Sequence, residues 1–332
     1  MIKTLLIHPD ELTEKRADEF CRAGIDVIGL HPTGGKNAAD SLAALVEKLG
    51  TREYRDVIDY AIGRGLKIEY CMHAFSYLLP RDLFGKHPEY FRVGEDGKRT
   101  SEYNLCASSP EAVDILSDNA VKLAKSLYRS RDRFYFWSDD ADKRKCNCDK
   151  CKNLSFADQQ IIVLGAVARK LRKVFPGAGV SYLAYFSALD VPTTAKEDGV
   201  FLEYAPFLKW TKGDEGEKTK IPALLGYFGK ENSRVLEYWY DNSLFSHWRK
   251  PPVRFTPDEE KIRRDADFYA KCGFEEIASF ACFLGDDYEE LYGKPDFAPF
   301  VRAIERATSR RRPTERYGKN SATANFSGNA VV

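Results

Sequence analysis

A chain of 332 residues is long enough for one large domain or two ordinary ones, and 43% hydrophobic with 30% charged residues is the balance of a soluble globular protein. Lysine plus arginine number 51 against 50 acids, and the resulting net charge of +1 gives no electrostatic case for nucleic acid or an anionic membrane as partner. No apolar run approaches the ~20 residues that span a bilayer, and the one in MIKTLLIHPDE is too short for a secretory leader. The expectation is a cytoplasmic protein whose eight cysteines are thiols or metal ligands rather than disulfides.

Strand-like and helix-like stretches alternate from the start. Residues 4–8, TLLIH, form an apolar strand ending at His8-Pro9-Asp10, and ELTEKRADEFCRAG is an amphipathic helix stopped by Gly24. The second strand, IDVIGL at 25–30, ends at His31-Pro32, and helices follow over 38–49 and 51–63. The third, KIEYCMH at 67–73, ends on His73 and opens into a long excursion over 74–109. Turn signals there, such as Gly94-Glu95-Asp96-Gly97, mark a structured insertion. A helix begins at Ser109-Pro110, with proline in the first turn where its missing N–H is no loss. The aromatic run Phe134-Tyr135-Phe136-Trp137 opens the fourth strand, 134–138, and a helix over 155–174 leads to the fifth, 179–186. The sixth strand covers 199–207, the seventh 234–243 and the eighth 275–283, with helices near 221–229 and over 258–271 between them. A last helix, 297–308, closes the fold, and the polar, aperiodic residues 309–332 are expected to form a disordered tail.

Eight strands alternating with helices over about 300 residues is the rhythm of a (β/α)8 TIM barrel, here with an insertion after strand three. An open doubly wound sheet is the rival, but no G-x-G-x-x-G follows a strand.

A barrel carries its site at the C-terminal ends of its strands. His8, His31 and His73 fall there, as do Asp139 and Asp140 after strand four. Glu203 and Tyr204 lie late in strand six, Glu237 through Asp241 in strand seven, and Asp286 and Asp287 after strand eight. Glycoside hydrolysis needs two carboxyl groups, or one acid with a substrate group as nucleophile. Asp139 and Asp140 can supply such a pair if they stand just past the strand, since adjacent strand residues point to opposite faces. Glu203 and Glu237 are the further catalytic candidates. Trp137, Tyr204, Tyr238 and Tyr240 suit a sugar subsite together with Trp239, although alternation should bury about half of these rings in the core. The three histidines, with Asp10 or Asp139, permit a second reading in which they bind a metal that activates water.

The most specific local pattern is C-x-C-x-x-C at Cys146, Cys148 and Cys151. Structural zinc takes four ligands, and Cys106 is the nearest unassigned thiol in sequence for the fourth place. Cys21, Cys71, Cys272 and Cys282 stand in apolar contexts as packing residues.

Several stretches carry a resemblance. HPEYF (87–91), Leu105-Cys106 before a helix, the strand-end acids ahead of C-x-C-x-x-C, LEYWYDNS…WRKPP (236–252) and SFACFLGDDY (279–288) together resemble a bacterial domain-of-unknown-function family grouped with glycoside-hydrolase-like TIM barrels, over roughly residues 1–305. The resemblance implies kinship with hexosaminidase-like barrels, where an Asp-Glu pair after strand four polarises a substrate acetamido group and protonates the leaving oxygen. This chain has Asp139-Asp140 there, and the second acid reaches about one methylene less far. The expected function is hydrolysis of a small carbohydrate or glycoside, with Asp140 as general acid and Asp139 as its partner. Structural zinc and no organic cofactor are expected beside it. The alternatives are a metal-dependent hydrolase using His8, His31 and His73, and a carbohydrate-binding barrel without turnover.

Overall fold

The computed structural model describes residues 1–213 and 215–311. Its centre is a closed ring of eight parallel strands in sequence order. The strands are β1 (Ile2–Ile7), β2 (Val27–Leu30), β3 (Lys67–His73), β4 (Arg133–Trp137), β5 (Gly179–Ala184), β6 (Val200–Tyr204), β7 (Arg234–Glu237) and β8 (Glu276–Phe280). β8 returns to β1 with Leu6 opposite Phe280. Helices follow most strands, so the architecture is a (β/α)8 TIM barrel. Three residues of the expected tail finish the last helix, Ala298–Arg311, and 312–332 lie outside the described residues.

Period-two alternation sorts every strand into an inner and an outer set. Leu6, Cys71, Tyr135, Phe201, Leu236 and Ala278 form the cluster inside the ring. A larger cluster, including Leu5, Ile28, Phe136, Leu202 and Val235, fills the layer between ring and helices. Gly29 of β2 is also inward. A Cβ there would lie 2.7 Å from Leu6 Cγ, so only glycine lets the two strands pair at this register.

The inner set also carries charge. Arg234 on β7 is fully buried and places its guanidinium 3.7 Å from the Tyr135 ring centroid. It donates to Glu203 on β6 from Nε at 2.9 Å and from Nη2, and pairs with Glu69 on β3 at 3.2 Å and Glu276 on β8 at 3.3 Å. Arg131 reaches Glu69 at 2.8 Å, and Arg133 reaches Glu276 at 3.0 Å. Burial and the adjacent Glu276 raise the Glu69 carboxyl. Burial also opposes ionisation of Glu276, but Arg133 and Arg234 bring it below the ordinary range.

Strand seven is shorter than the sequence suggested. It leaves the ladder after Glu237, and Asn242–Phe245 is a short helix capped by Asp241. The stretch after β3 is structured through short helical turns at Phe75–Leu78, Arg81–Gly85 and Pro88–Tyr90, with a bridge between Val93 and Arg99.

Removing the central cation leaves buried carboxylates underpaired, which costs about 3–5 kcal/mol in comparable sites. Arg234→Met is therefore expected to lose about that much stability in urea denaturation at pH 7. A loss under about 1 kcal/mol would contradict the role given to the network.

Candidate active site

The inward residues at the top of the ring open into a cleft of about 800 Å³ at the C-terminal ends of the strands. His8, His31, His73, Trp137, Tyr238, Asp140 and Asp241 all line it, so the structure gathers seven of the expected site residues in one place. The three histidines are set by one repeated device. His8 Nδ1 donates to the carbonyl of His31 at 2.8 Å, His31 Nδ1 to that of Cys71 at 2.8 Å, and His73 Nδ1 to that of Ser138 at 2.6 Å. A carbonyl only accepts, so each Nδ1 carries the proton. The rings follow one another along the wall, with centroids 5.9 Å apart for His8 and His31 and 6.4 Å for His31 and His73. Burial first, then the neighbouring His8 and His73, holds His31 down to about 3, so at neutral pH its Nε2 is a hydrogen-bond acceptor.

The two adjacent acids after β4 part company. Asp139 is buried and turned away from the cleft. Its carboxylate accepts from Ser76 N at 2.8 Å, Ser76 Oγ at 2.5 Å, Arg81 at 2.6 Å and the Asn104 backbone N–H. Asp140 faces the cleft with a side chain 40% exposed. Tyr185 donates to it at 3.2 Å, and His73 Nε2 lies 3.9 Å away. A Cβ on Gly34 would come within 3.1 Å of Asp140 Oδ2, so the β2 loop presses closely on this carboxylate.

Asp241 is the cleft's buried acid. Its Oδ1 accepts from Leu244 N at 3.2 Å and from Ser243 Oγ. Burial raises this carboxyl, against the opposing pull of those hydrogen bonds and of His8. Tyr238 feels the charge of both Asp241 and Asp140. Because β4 and β7 stand three strands apart in the ring, the two acids approach from different walls.

The remaining candidates stand elsewhere. Glu203 lies below the floor, accepting from Trp137 Nε1 at 2.7 Å while paired with Arg234. Glu237 alternates outward to Lys209 Nζ at 2.6 Å, Tyr269 OH at 2.6 Å and Trp210 Nε1 at 2.8 Å. Tyr204 packs outward on Tyr269 and Phe274, and Tyr240 on Phe255, Phe297 and Phe300. Asp286 and Asp287 pair with Lys15 at 2.9 Å and Lys250 at 2.7 Å in a separate small depression.

Sequence reasoning missed part of the cleft's aromatic wall. Tyr185, Phe186, Trp248, Phe280 and Phe283 all line it, and Trp248 is 61% exposed. Phe186, Trp248 and Phe283 have φ of 47°, 55° and 63°. Bulky residues in the left-handed region persist only where their surroundings hold them, and such residues cluster at functional sites. Phe186 and Phe283 stand just past the ends of β5 and β8, which was the available signal, whereas Trp248 lies beyond the short helix after β7.

Cys106, Cys146, Cys148 and Cys151 come together away from the cleft, with their sulfurs all within 4.8 Å of one another. Among the described residues this is the one group of three or more His, Cys, Asp or Glu ligands placed to hold a metal ion; the three histidines do not form another.

Residues 50–279 match the family described as domain of unknown function DUF4838. The chain belongs to this family. No curated protein matches it by sequence. Its fold is similar to the β-galactosidase of the psychrophilic Marinomonas ef1, with a TM-score of 0.54 and 12% identity over 94% of this chain and 60% of that one. It is similar also to the Streptomyces plicatus N-acetyl-β-hexosaminidase in complex with Thio-NAglucal, with a TM-score of 0.53 and 15% identity over 91% of this chain and 63% of the other. The chain thus spans about three-fifths of the length of these enzymes. At such identity the likeness is one of fold alone, the (β/α)8 barrel described above.

The depressed His31 pKa makes a stability prediction. As pH falls below 6.5 the unfolded chain takes up a proton that the folded chain refuses until about 3, so folding stability drops across that window. The slope from this group reaches about 1.4 kcal/mol per pH unit. His31→Gln should flatten the fall in melting temperature between pH 6.5 and 4, and parallel curves for the two proteins would contradict it.

Proposed function

We propose that this protein is a carbohydrate-active hydrolase that cleaves a glycoside in the cleft, with Asp241 and Asp140 as the working carboxyl pair. The observation that carries the reading is the contrast between the two acids. Asp241 is buried, and that burial raises its carboxyl from the ordinary carboxylate range, while Asp140 is part-exposed on another wall. Glycosidases separate the roles of two carboxyls by environment in this way. Asp241 gives its proton to the glycosidic oxygen as the bond to the anomeric carbon breaks. Asp140 supplies negative charge against the oxocarbenium-like transition state, and water then adds to the anomeric carbon and passes a proton back to Asp241, releasing the free sugar and restoring the acid. Trp248, Phe283 and Tyr238 offer apolar faces to the sugar ring, and His31 Nε2 accepts from a hydroxyl.

This reading reassigns the general acid from Asp140 to Asp241 and gives Asp139 a positioning role. Glu203 and Glu237 have their carboxylates committed to Arg234 and Lys209, and serve the fold. The substrate is a small carbohydrate or glycoside. We assign zinc, as a structural ion, to the four-cysteine cluster, and no organic cofactor to the chemistry. A reducing, cytoplasmic setting fits eight cysteines none of which is disulfide-bonded. No helix among the described residues is long and apolar enough to cross a membrane.

The test is a panel of aryl glycosides of neutral hexoses, pentoses and N-acetylhexosamines. Asp241→Asn and Asp140→Asn should each lower kcat by about 10²–10⁴-fold on any glycoside the wild type cleaves, with KM within a few-fold. Full activity in both variants would overturn the pair. Sugar binding with no product from the wild type would make this a binding barrel.

A further inference from the structure

Among the described residues the cleft carboxylate Asp140 accepts one hydrogen bond, from the Tyr185 hydroxyl, with His73 Nε2 3.9 Å away, and it directly follows Asp139 in the chain. Asp139 in turn is anchored to a strap that ends in the cysteine cluster. Asn104 is the key link. Its backbone N–H donates to the Asp139 carboxylate, its Oδ1 accepts from Asp139 N at 3.0 Å, and its Nδ2 donates to the Arg144 carbonyl at 3.1 Å. Arg81 joins the same knot, donating to the Asn104 carbonyl at 3.1 Å and to Asp139 at 2.6 Å. Two residues beyond Asn104 is Cys106, and two residues beyond Arg144 is Cys146.

The strap is held in an unfavourable shape. Tyr103 and Asn104 have φ of 52° and 43°, two consecutive non-glycine residues in the left-handed region. Asparagine tolerates this region, but tyrosine persists there only where its surroundings hold it. On one side are Asp139 and Arg81. On the other, Arg92 Nε donates to the Glu102 carbonyl at 2.8 Å, the Cys106 N–H donates to the Tyr90 carbonyl at 2.9 Å, and the Cys106 thiol joins the cluster.

The cysteines have the dimensions of a single metal ion. Cys106 Sγ lies 3.6 Å from Cys148 Sγ and 3.8 Å from Cys151 Sγ. A disulfide needs about 2.05 Å, whereas four sulfurs at about 2.3 Å around a tetrahedral zinc stand about 3.8 Å apart. The surroundings support ligation. Val93 N–H donates to Cys146 Sγ at 3.3 Å, and Gln159 ties the Cys146 amide and the Cys146 and Cys151 carbonyls at 2.8, 2.9 and 3.2 Å.

We infer that zinc bound by Cys106, Cys146, Cys148 and Cys151 is a clasp that positions the Asp139–Asp140 corner, so that metal loading controls the order of the cleft carboxylate while the barrel stays folded without it. Zinc displaces the thiol protons to solvent on binding, with no change of oxidation state. The clasp itself stands on the geometry of the cluster and strap. Its consequence for catalysis rests on the hydrolase reading.

The experiment uses the full chain, as purified and with Cys148→Ala, together with wild-type protein stripped by a chelator and reloaded with zinc alone. Elemental analysis should give about one zinc per chain, lost in the variant. Hydrogen exchange should then quicken by about tenfold or more at the amides of Asn104, Asp139 and Ala141, with β1, β2 and β8 unchanged, and zinc should reverse it. On a cleaved aryl glycoside, kcat should fall in step with KM little changed. Unchanged exchange at the corner after zinc loss overturns the clasp, and so does loss of protection throughout the barrel. Iron, or no metal, in the purified protein overturns the zinc assignment. A corner that responds to zinc in a protein that cleaves no glycoside leaves the clasp standing and sinks the hydrolase reading instead.

Discussion

Arg234 is the constraint on which the rest of this barrel depends. It draws together Glu69 of β3, Glu203 of β6 and Glu276 of β8 inside the ring, where none of them meets water. Desolvating so many charges is unfavourable unless each is paired, so closure of the ring and pairing of the network have to occur together. The network also reaches the cleft. Glu203, held by Arg234, accepts the indole N–H of Trp137, whose ring packs against His31 and His73 at 5.6 and 5.1 Å between centroids. The wall of histidines therefore rests on an electrostatic floor.

Above that floor the ring provides order through its own backbone. β3 ends on a histidine and β1 and β2 are each followed directly by one, and each histidine donates to a carbonyl on or just after the next strand, so the side chains that line the cleft here are fixed by sheet geometry. The acids are fixed differently. Asp241 caps a short helix, and Asp140 follows a neighbour whose carboxylate is saturated. A site built this way keeps its donors and acceptors in place, which is the preorganisation that the proposed hydrolysis would draw on.

Much of this was legible in the residues. Strand count, the barrel and the histidines at strand ends follow from periodicity and spacing, and Cys106, chosen only as the nearest unassigned thiol in sequence, does lie with the C-x-C-x-x-C run. Strand parity decides what went astray. Inward residues of β6 and β7 are Phe201 and Glu203, Arg234 and Leu236, so Tyr204 and Glu237 face the helices. Glu203 has the right parity but the wrong height, because Arg234 meets it below the floor. Tyr240 is lost to the cleft because β7 ends at Glu237, which no local pattern in LEYWYDNS announces. The separation of Asp139 from Asp140 depends on Asn104 and Arg81, thirty-five and fifty-eight residues away, and such partners have no local signature. Trp248 and Phe283 belong to loops whose left-handed turns only the folded chain reveals.

The central claim is that a glycoside is held between Asp241 and Asp140. A crystal structure of the protein with a hydrolysis-resistant thioglycoside tests it most directly. The account predicts the sugar ring in the cleft, its bridging sulfur within about 3.5 Å of Asp241 Oδ2 and Asp140 on the other side of the anomeric carbon. A ligand bound outside the cleft, or with its glycosidic linkage out of reach of both carboxyl groups, would contradict it.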